Sequence, residues 1–84
     1  MKAIVTVFPR REILDPQGKA IAGALARVGF TAVTRVRAGK VFEIELGETD
    51  PARAREQLEA MCRKLLANTV VEDFTYELVE GAGS

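Results

Sequence analysis

The sequence predicts an α+β two-layer sandwich in the order βαββαβ, with an antiparallel four-stranded sheet and two helices on one face. Three observations carry that expectation. Apolar residues recur every second position in four runs and at helical spacing in two others. The dipeptide Asp-Pro stands at the head of both helical runs, as Asp15-Pro16 and Asp50-Pro51. Each helical run also lies between two strand patterns, so the chain divides into two similar βαβ halves.

The first strand runs from Lys2 to Phe8 and is apolar on both sides, Ala3, Val5 and Val7 against Ile4 and Phe8. Such a strand sits centrally in its sheet. The reading places Ala3, Val5 and Val7 on the face that the helices leave open, as an apolar stripe that suits a partner. Pro9 ends the pattern, and Asp15 caps a helix that Pro16 opens and that runs to about Val28. Ile21, Leu25 and Val28 share one stripe of this helix. Gly18 and Gly23 each cost it about 1 kcal/mol relative to alanine, which points to close approach of another backbone. Gly29 supplies the left-handed residue that terminates it.

Thr31–Ala38 and Val41–Leu46 read as a hairpin around Gly39. A three-residue loop, Ala38-Gly39-Lys40, sets Arg35 opposite Glu43 and Val36 opposite Phe42. Val36, Phe42, Ile44 and Leu46 then share the helix side, and the charged residues share the other. The second helix extends from Pro51 to about Ala67, with Ala54, Leu58, Met61 and Leu65 on its apolar face and Asn68 as its terminator. The last strand, Val70–Val79, alternates Phe74, Tyr76 and Leu78 with Asp73, Thr75 and Glu77. Residues 1–80 form one domain, and Gly81-Ala82-Gly83-Ser84 reads as a disordered tail. This arrangement is the ferredoxin-like split βαβ fold.

Eighty-four residues make a core near the lower limit of independent stability. Cys62 is the single cysteine and there is no histidine, so neither an internal disulfide nor a transition-metal site is expected. Self-association is the remaining route to extra stability. Twelve basic and twelve acidic residues balance, which argues against a nucleic-acid footprint. The aromatic residues Phe42, Phe74 and Tyr76 fall on the helix side, where they are not available to stack on bases. No apolar run approaches the roughly 20 residues of a membrane span, and the start of the chain lacks a signal-peptide pattern. The cytoplasm is the expected location.

No catalytic set emerges. A histidine-supported nucleophile is impossible, and Ser84, the only serine, lies in the tail. Cys62 falls on the apolar side of a helix and reads as a small buried hydrophobe. Glu43 and Glu45 share a strand face with arginines that keep both ionised. The glycines make neither a dinucleotide nor a Walker pattern. Lys40 beside a glycine turn suits a phosphate or a carboxylate of a partner, and equally a charged tip that keeps a sheet edge soluble.

Three stretches, taken in order, resemble a known family: Ile13-Leu14-Asp15-Pro16-Gln17-Gly18, Val36-Arg37-Ala38-Gly39-Lys40 and Met61-Cys62-Arg63-Lys64-Leu65-Leu66-Ala67-Asn68. Together they are similar to the PurS subunits of phosphoribosylformylglycinamidine synthase, and the likeness runs to Glu80. Thr69 departs from it, since the family often has proline before the last strand. The resemblance implies a non-catalytic small subunit in purine biosynthesis. Such a subunit forms a homodimer or larger assembly and joins a glutaminase subunit to a large synthetase subunit. It binds no cofactor itself; ATP and magnesium belong to the large subunit. Asp15, Pro16, Gln17, Gly18, Arg37, Gly39 and Lys40 are the implied contact residues. Two readings of other classes share the topology. An ACT-type regulatory module would bind an amino acid, and an acylphosphatase-like enzyme would need a phosphate cradle that Pro9-Arg10-Arg11-Glu12 does not resemble.

Overall fold

In the computed structural model, which describes residues 1–79, the first strand organises the sheet. β1 (Lys2–Pro9) lies between β2 (Lys40–Glu45) and β3 (Glu72–Val79), antiparallel to both. Val5 stands opposite Phe42 on one side and Tyr76 on the other, while Ala3 stands opposite Ile44 and Leu78. Opposed residues share a sheet face, so these side chains gather on one side. The register extends one step beyond β2, where Leu46 and the chain start exchange two bonds: the Leu46 N–H donates to the Met1 carbonyl (2.7 Å), and the Met1 ammonium donates to the Leu46 carbonyl (3.0 Å).

Two helices complete the elements. α1 spans Pro16–Arg27, and α2 spans Pro51–Met61 and continues as a π-helical turn over Cys62–Leu66. Both begin as their sequences predict. Asp15 and Asp50 adopt extended conformations and accept from the N–H groups of Gln17 and Ala52, with proline next in the chain. Gly29, at φ 104°, ends α1 in the left-handed region. The second helical stretch ends at Ala67, which is extended and whose N–H donates to the Cys62 carbonyl, and Asn68 builds the turn beyond it: its carbonyl accepts from Val71 and Glu72, and its side chain accepts from Val70.

Several expectations need correction. Among the described residues the sheet has three strands, not four. Thr31–Ala38 forms no strand and no hairpin with β2, because its inner end is bonded elsewhere: the Ala38 N–H donates to the Asp15 carboxylate, and the Val36 carbonyl lies against Gly18. Ala3, Val5 and Val7 are not on the open face. They are fully buried and form the core with Leu58, Cys62 and Ala67, and the open face carries Ile4, Thr6 and Phe8 instead. Finally, α2 alone covers the sheet. Of α1 only Gly18 is buried, and the helix stands away from the strands. The expected tail, residues 81–84, lies outside the described residues.

The consequence is an elongated chain. Its radius of gyration is 16.3 Å and its extents are 48 × 32 × 14 Å. A compact chain of this length would have a radius of gyration of about 12 Å. Residues 16–36 form an arm that leaves the body after β1 and returns to it at Gly39.

Candidate functional site

The root of this arm brings together two motifs, Ile13–Gly18 and Val36–Lys40, that lie eighteen positions apart in the sequence. Asp15 is the centre. One carboxylate oxygen accepts from the Gln17 N–H at 3.2 Å and caps α1, while the other accepts from the Ala38 N–H at 2.8 Å. The same side chain therefore starts a helix and holds the segment that returns from it. The Ala38 hydrogen bond is the foremost cause holding the Asp15 carboxyl below its ordinary value, and the N–H groups of Gly18 and Gln17 and the Arg35 charge act in the same direction.

Gly18 explains itself at this contact. A Cβ added there would stand 2.0 Å from the Val36 carbonyl oxygen and 2.7 Å from the Asp15 carboxylate. Only a residue without a side chain lets the returning backbone pass so close. Gly39 does the same further along: a Cβ would meet the Val7 carbonyl oxygen at 2.5 Å and the Phe8 ring at 2.6 Å. Two glycines thus fasten the return segment to the first turn of α1 and to β1.

Arginines complete the fastening. Arg37 donates to the Pro9 carbonyl at 2.8 Å and lies over the Phe8 ring, 5.2 Å from its centroid. Arg35 donates to the carbonyls of Arg11 and Ile13, so it clasps the loop between β1 and α1. Neighbouring Arg10 reaches the other way. It donates to the Thr69 carbonyl at 2.7 Å, while its backbone N–H donates to the Val71 carbonyl at 2.9 Å. Thr69 therefore offers its carbonyl to an arginine of the β1–α1 loop.

Of the seven residues singled out from the sequence, Asp15, Gly18, Arg37 and Gly39 meet at this root and are engaged within the chain. Pro16 and Gln17 lie exposed in the first turn of α1. Lys40, at the start of β2, is mostly exposed and reaches Glu72 at 4.0 Å. Pro16, Gln17 and Lys40 thus keep exposed side chains beside the root.

Sequence reasoning missed Arg35 as part of the root and placed it opposite Glu43. It also missed a polar group on the helix side of the sheet. Tyr76 donates to Glu59 at 2.9 Å, and Arg63 donates to the other oxygen of Glu59 at 2.6 Å. Arg63 also lies 5.4 Å from the Phe74 ring centroid. The Tyr76 hydrogen bond, followed by Arg63, draws the Glu59 carboxyl below its ordinary value, and Glu59 in turn raises the Tyr76 phenol. The i,i+4 spacing of Glu59 and Arg63 is a visible signal for this pair. Burial raises the Cys62 thiol, as suits a core residue.

Known proteins share this chain's sequence and its fold. Residues 2–80 match the family model of PurS, described as phosphoribosylformylglycinamidine (FGAM) synthase. The PurS subunit of that synthase from Mycobacterium leprae is 51% identical over 74 residues, covering 88% of this chain and 90% of its own length. The Bacillus subtilis subunit is 42% identical over 80 residues, covering 94% and 93%. A solved structure of B. subtilis PurS superposes with a TM-score of 0.86 at 40% identity, covering 94% of this chain and 98% of that one. A chain in the structure of Thermotoga maritima PurLQS gives 0.83 at 28% identity, covering 93% and 95%. From residue 2 to residue 80, the chain belongs to the PurS family of phosphoribosylformylglycinamidine synthase subunits.

Proposed function

We propose that this chain is the non-catalytic small subunit of phosphoribosylformylglycinamidine synthase, a ligase of purine biosynthesis. In that complex it joins the glutaminase subunit to the large synthetase subunit, so that ammonia released from glutamine reaches the synthetase site. ATP and magnesium act on the large subunit, and the assembly works in the cytoplasm. The small subunit acts as a homo-oligomer.

The observation that carries this reading is the family match across nearly the whole chain, together with a fold like that of a chain in PurLQS. The geometry is consistent with it. The polar chemistry of the first two motifs is spent on shaping a protruding arm, while Gln17 and Lys40 stand exposed at its base. Such a surface can hold proteins in register without touching a reacting atom. The family match leaves the ACT-type alternative without a supporting observation.

Reconstitution tests the proposal. Synthetase and glutaminase subunits are combined with and without this chain, and product formation is followed with glutamine or with ammonium as the nitrogen source. Glutamine-dependent activity should require the chain, while ammonium-dependent activity should persist without it. Full glutamine-dependent activity from the two larger subunits alone would overturn the reading. Lys40→Glu, which reverses an exposed charge at the arm root, should weaken assembly about tenfold while the isolated chain keeps its fold.

A further inference from the structure

The side of the sheet turned away from α2 has no cover from its own chain, and it is neither apolar nor evenly charged. Register puts Ile4, Thr6 and Phe8 of β1 on this side. Ile4 lies between two acids, opposite Glu43 on β2 and Glu77 on β3, and Thr6 lies between Val41 and Thr75. Phe8 is 37% and Val41 67% exposed. A hollow of about 280 Å³ opens along the seam between β1 and β3, and its lining includes Ile4, Thr6, Thr75 and Glu77.

Charge divides this face into two ends. Near Phe8 it is balanced: Asp73 lies 3.7 Å from the Arg10 guanidinium, and Arg11 and Arg37 border the same end. Around Ile4 it is not, since Glu43, Glu45 and Glu77 share that end with Lys2 alone. Lys2 stands 3.8 Å from Glu43 and neutralises one carboxylate, while Glu45 and Glu77 form no ion pair among the described residues. A face that is merely solvated mixes both signs. Carboxylates on either side of an isoleucine suit a cationic side chain, whose aliphatic stem lies on Ile4 while its charge meets Glu43 and Glu77. The same charge selects the occupant. Two copies meeting symmetrically at Ile4 would set carboxylate against carboxylate, because both sides of a two-fold contact are the same patch. Nucleic acid would meet the same repulsion. A different protein with arginine or lysine beside apolar side chains meets none of it.

We infer that the open face around Ile4, Glu43 and Glu77 docks a basic patch on one of the two larger subunits, with a lysine or arginine side chain seated in the hollow. This rests on the proposed role of the chain in joining those subunits, and names a surface that does it. The face lies across the sheet from α2 and the core, so a partner held there displaces no element of the fold.

Two measurements with the synthetase and glutaminase subunits test the inference. In the first, the unaltered chain should enter the complex with an affinity that falls as salt rises. Glu43→Lys with Glu77→Lys should enter it at least about 100-fold less tightly, while the isolated variant keeps its circular dichroism and its sedimentation behaviour. Glu56→Lys, at an exposed carboxylate of α2, should change neither. The second measurement needs no substitution. The unaltered chain, alone and in the complex, is labelled with a water-soluble carbodiimide and glycine ethyl ester. Glu43 and Glu77 should lose most of their labelling in the complex, and Glu56 should keep its own. A complex that holds the double variant as tightly as the unaltered chain, or that leaves Glu43 and Glu77 as reactive as before, would overturn the inference and leave the joining role standing. A double variant whose own sedimentation shifts would make a second copy the occupant and overturn it equally. Failure of the unaltered chain to join the complex would overturn both.

Discussion

Asp15 makes one carboxylate serve two stretches of backbone, and its behaviour with pH follows from that. Its folded value lies below its ordinary one, so its contribution to stability is fully present above the ordinary carboxylate range and is lost as pH falls through the lowered folded value. Asp15→Asn keeps an acceptor and should remove that acid-sensitive part while leaving the fold in place. Asp15→Ala removes both bonds and should lower the melting temperature by about 5 °C at neutral pH. Thermal unfolding between pH 3 and 7 distinguishes the two. Gly18 and Gly23 offer a sharper contrast, because both are glycines inside one helix. At Gly18 a methyl group collides with the Val36 carbonyl, and Gly18→Ala should cost about 1–3 kcal/mol. At Gly23 the nearest atom to an added Cβ is the flexible end of Arg27 at 3.7 Å, and Gly23→Ala should gain about 0.5–1 kcal/mol. Denaturant unfolding of the two variants should shift in opposite directions. In the sequence the two glycines look alike, since helix propensity is local and the Val36 carbonyl is eighteen positions away from Gly18.

At the scale of elements, signals that depend on near neighbours were legible and long-range ones less so. Both Asp-Pro starts, the Gly29 stop and the alternation of β3 depend on neighbours within a few residues, and all are found where the residues place them. The sidedness of β1 was not legible from β1, because both of its faces are apolar. Its partners decide it: Phe42, Ile44, Tyr76 and Leu78 oppose Val5 and Ala3, and those aromatic and aliphatic residues belong to the helix side. The assignment can be checked with two valines. Val5→Ala, in the core, should cost about 2 kcal/mol, whereas Val41→Ala, exposed on the other face, should change stability by less than about 0.5 kcal/mol. The fourth strand failed for a different reason. Thr31–Ala38 has the composition of a strand, but Asp15 offers the Ala38 N–H a charged acceptor, and Arg35 and Arg37 bond to carbonyls of β1 and the β1–α1 loop instead of facing β2.

For the whole molecule, the small core is the governing quantity. The buried apolar residues among those described are Ala3, Val5, Val7, Ala54, Leu58, Cys62 and Ala67, a modest set for a chain with a radius of gyration of 16.3 Å. Under the proposed self-association, such a core gains stability from a second copy, since association of folded chains raises the melting temperature by mass action. The melting temperature should therefore rise with protein concentration, by several degrees over a hundredfold range. The family was legible from three short motifs. What those motifs do physically was not, since it emerges only when the chain is folded and Asp15 meets Ala38.

That meeting has one more consequence. The two ends of the arm are pinned within hydrogen-bonding distance, and β1 resumes its pairing at once, with Val7 opposite Lys40. The stretch between them is topologically a closed loop on a finished sheet. Its length and sequence can drift, or be exchanged for another, with little penalty in chain entropy to the three strands beneath. The arm is an interchangeable cassette, and its surface can change while the body stays the same.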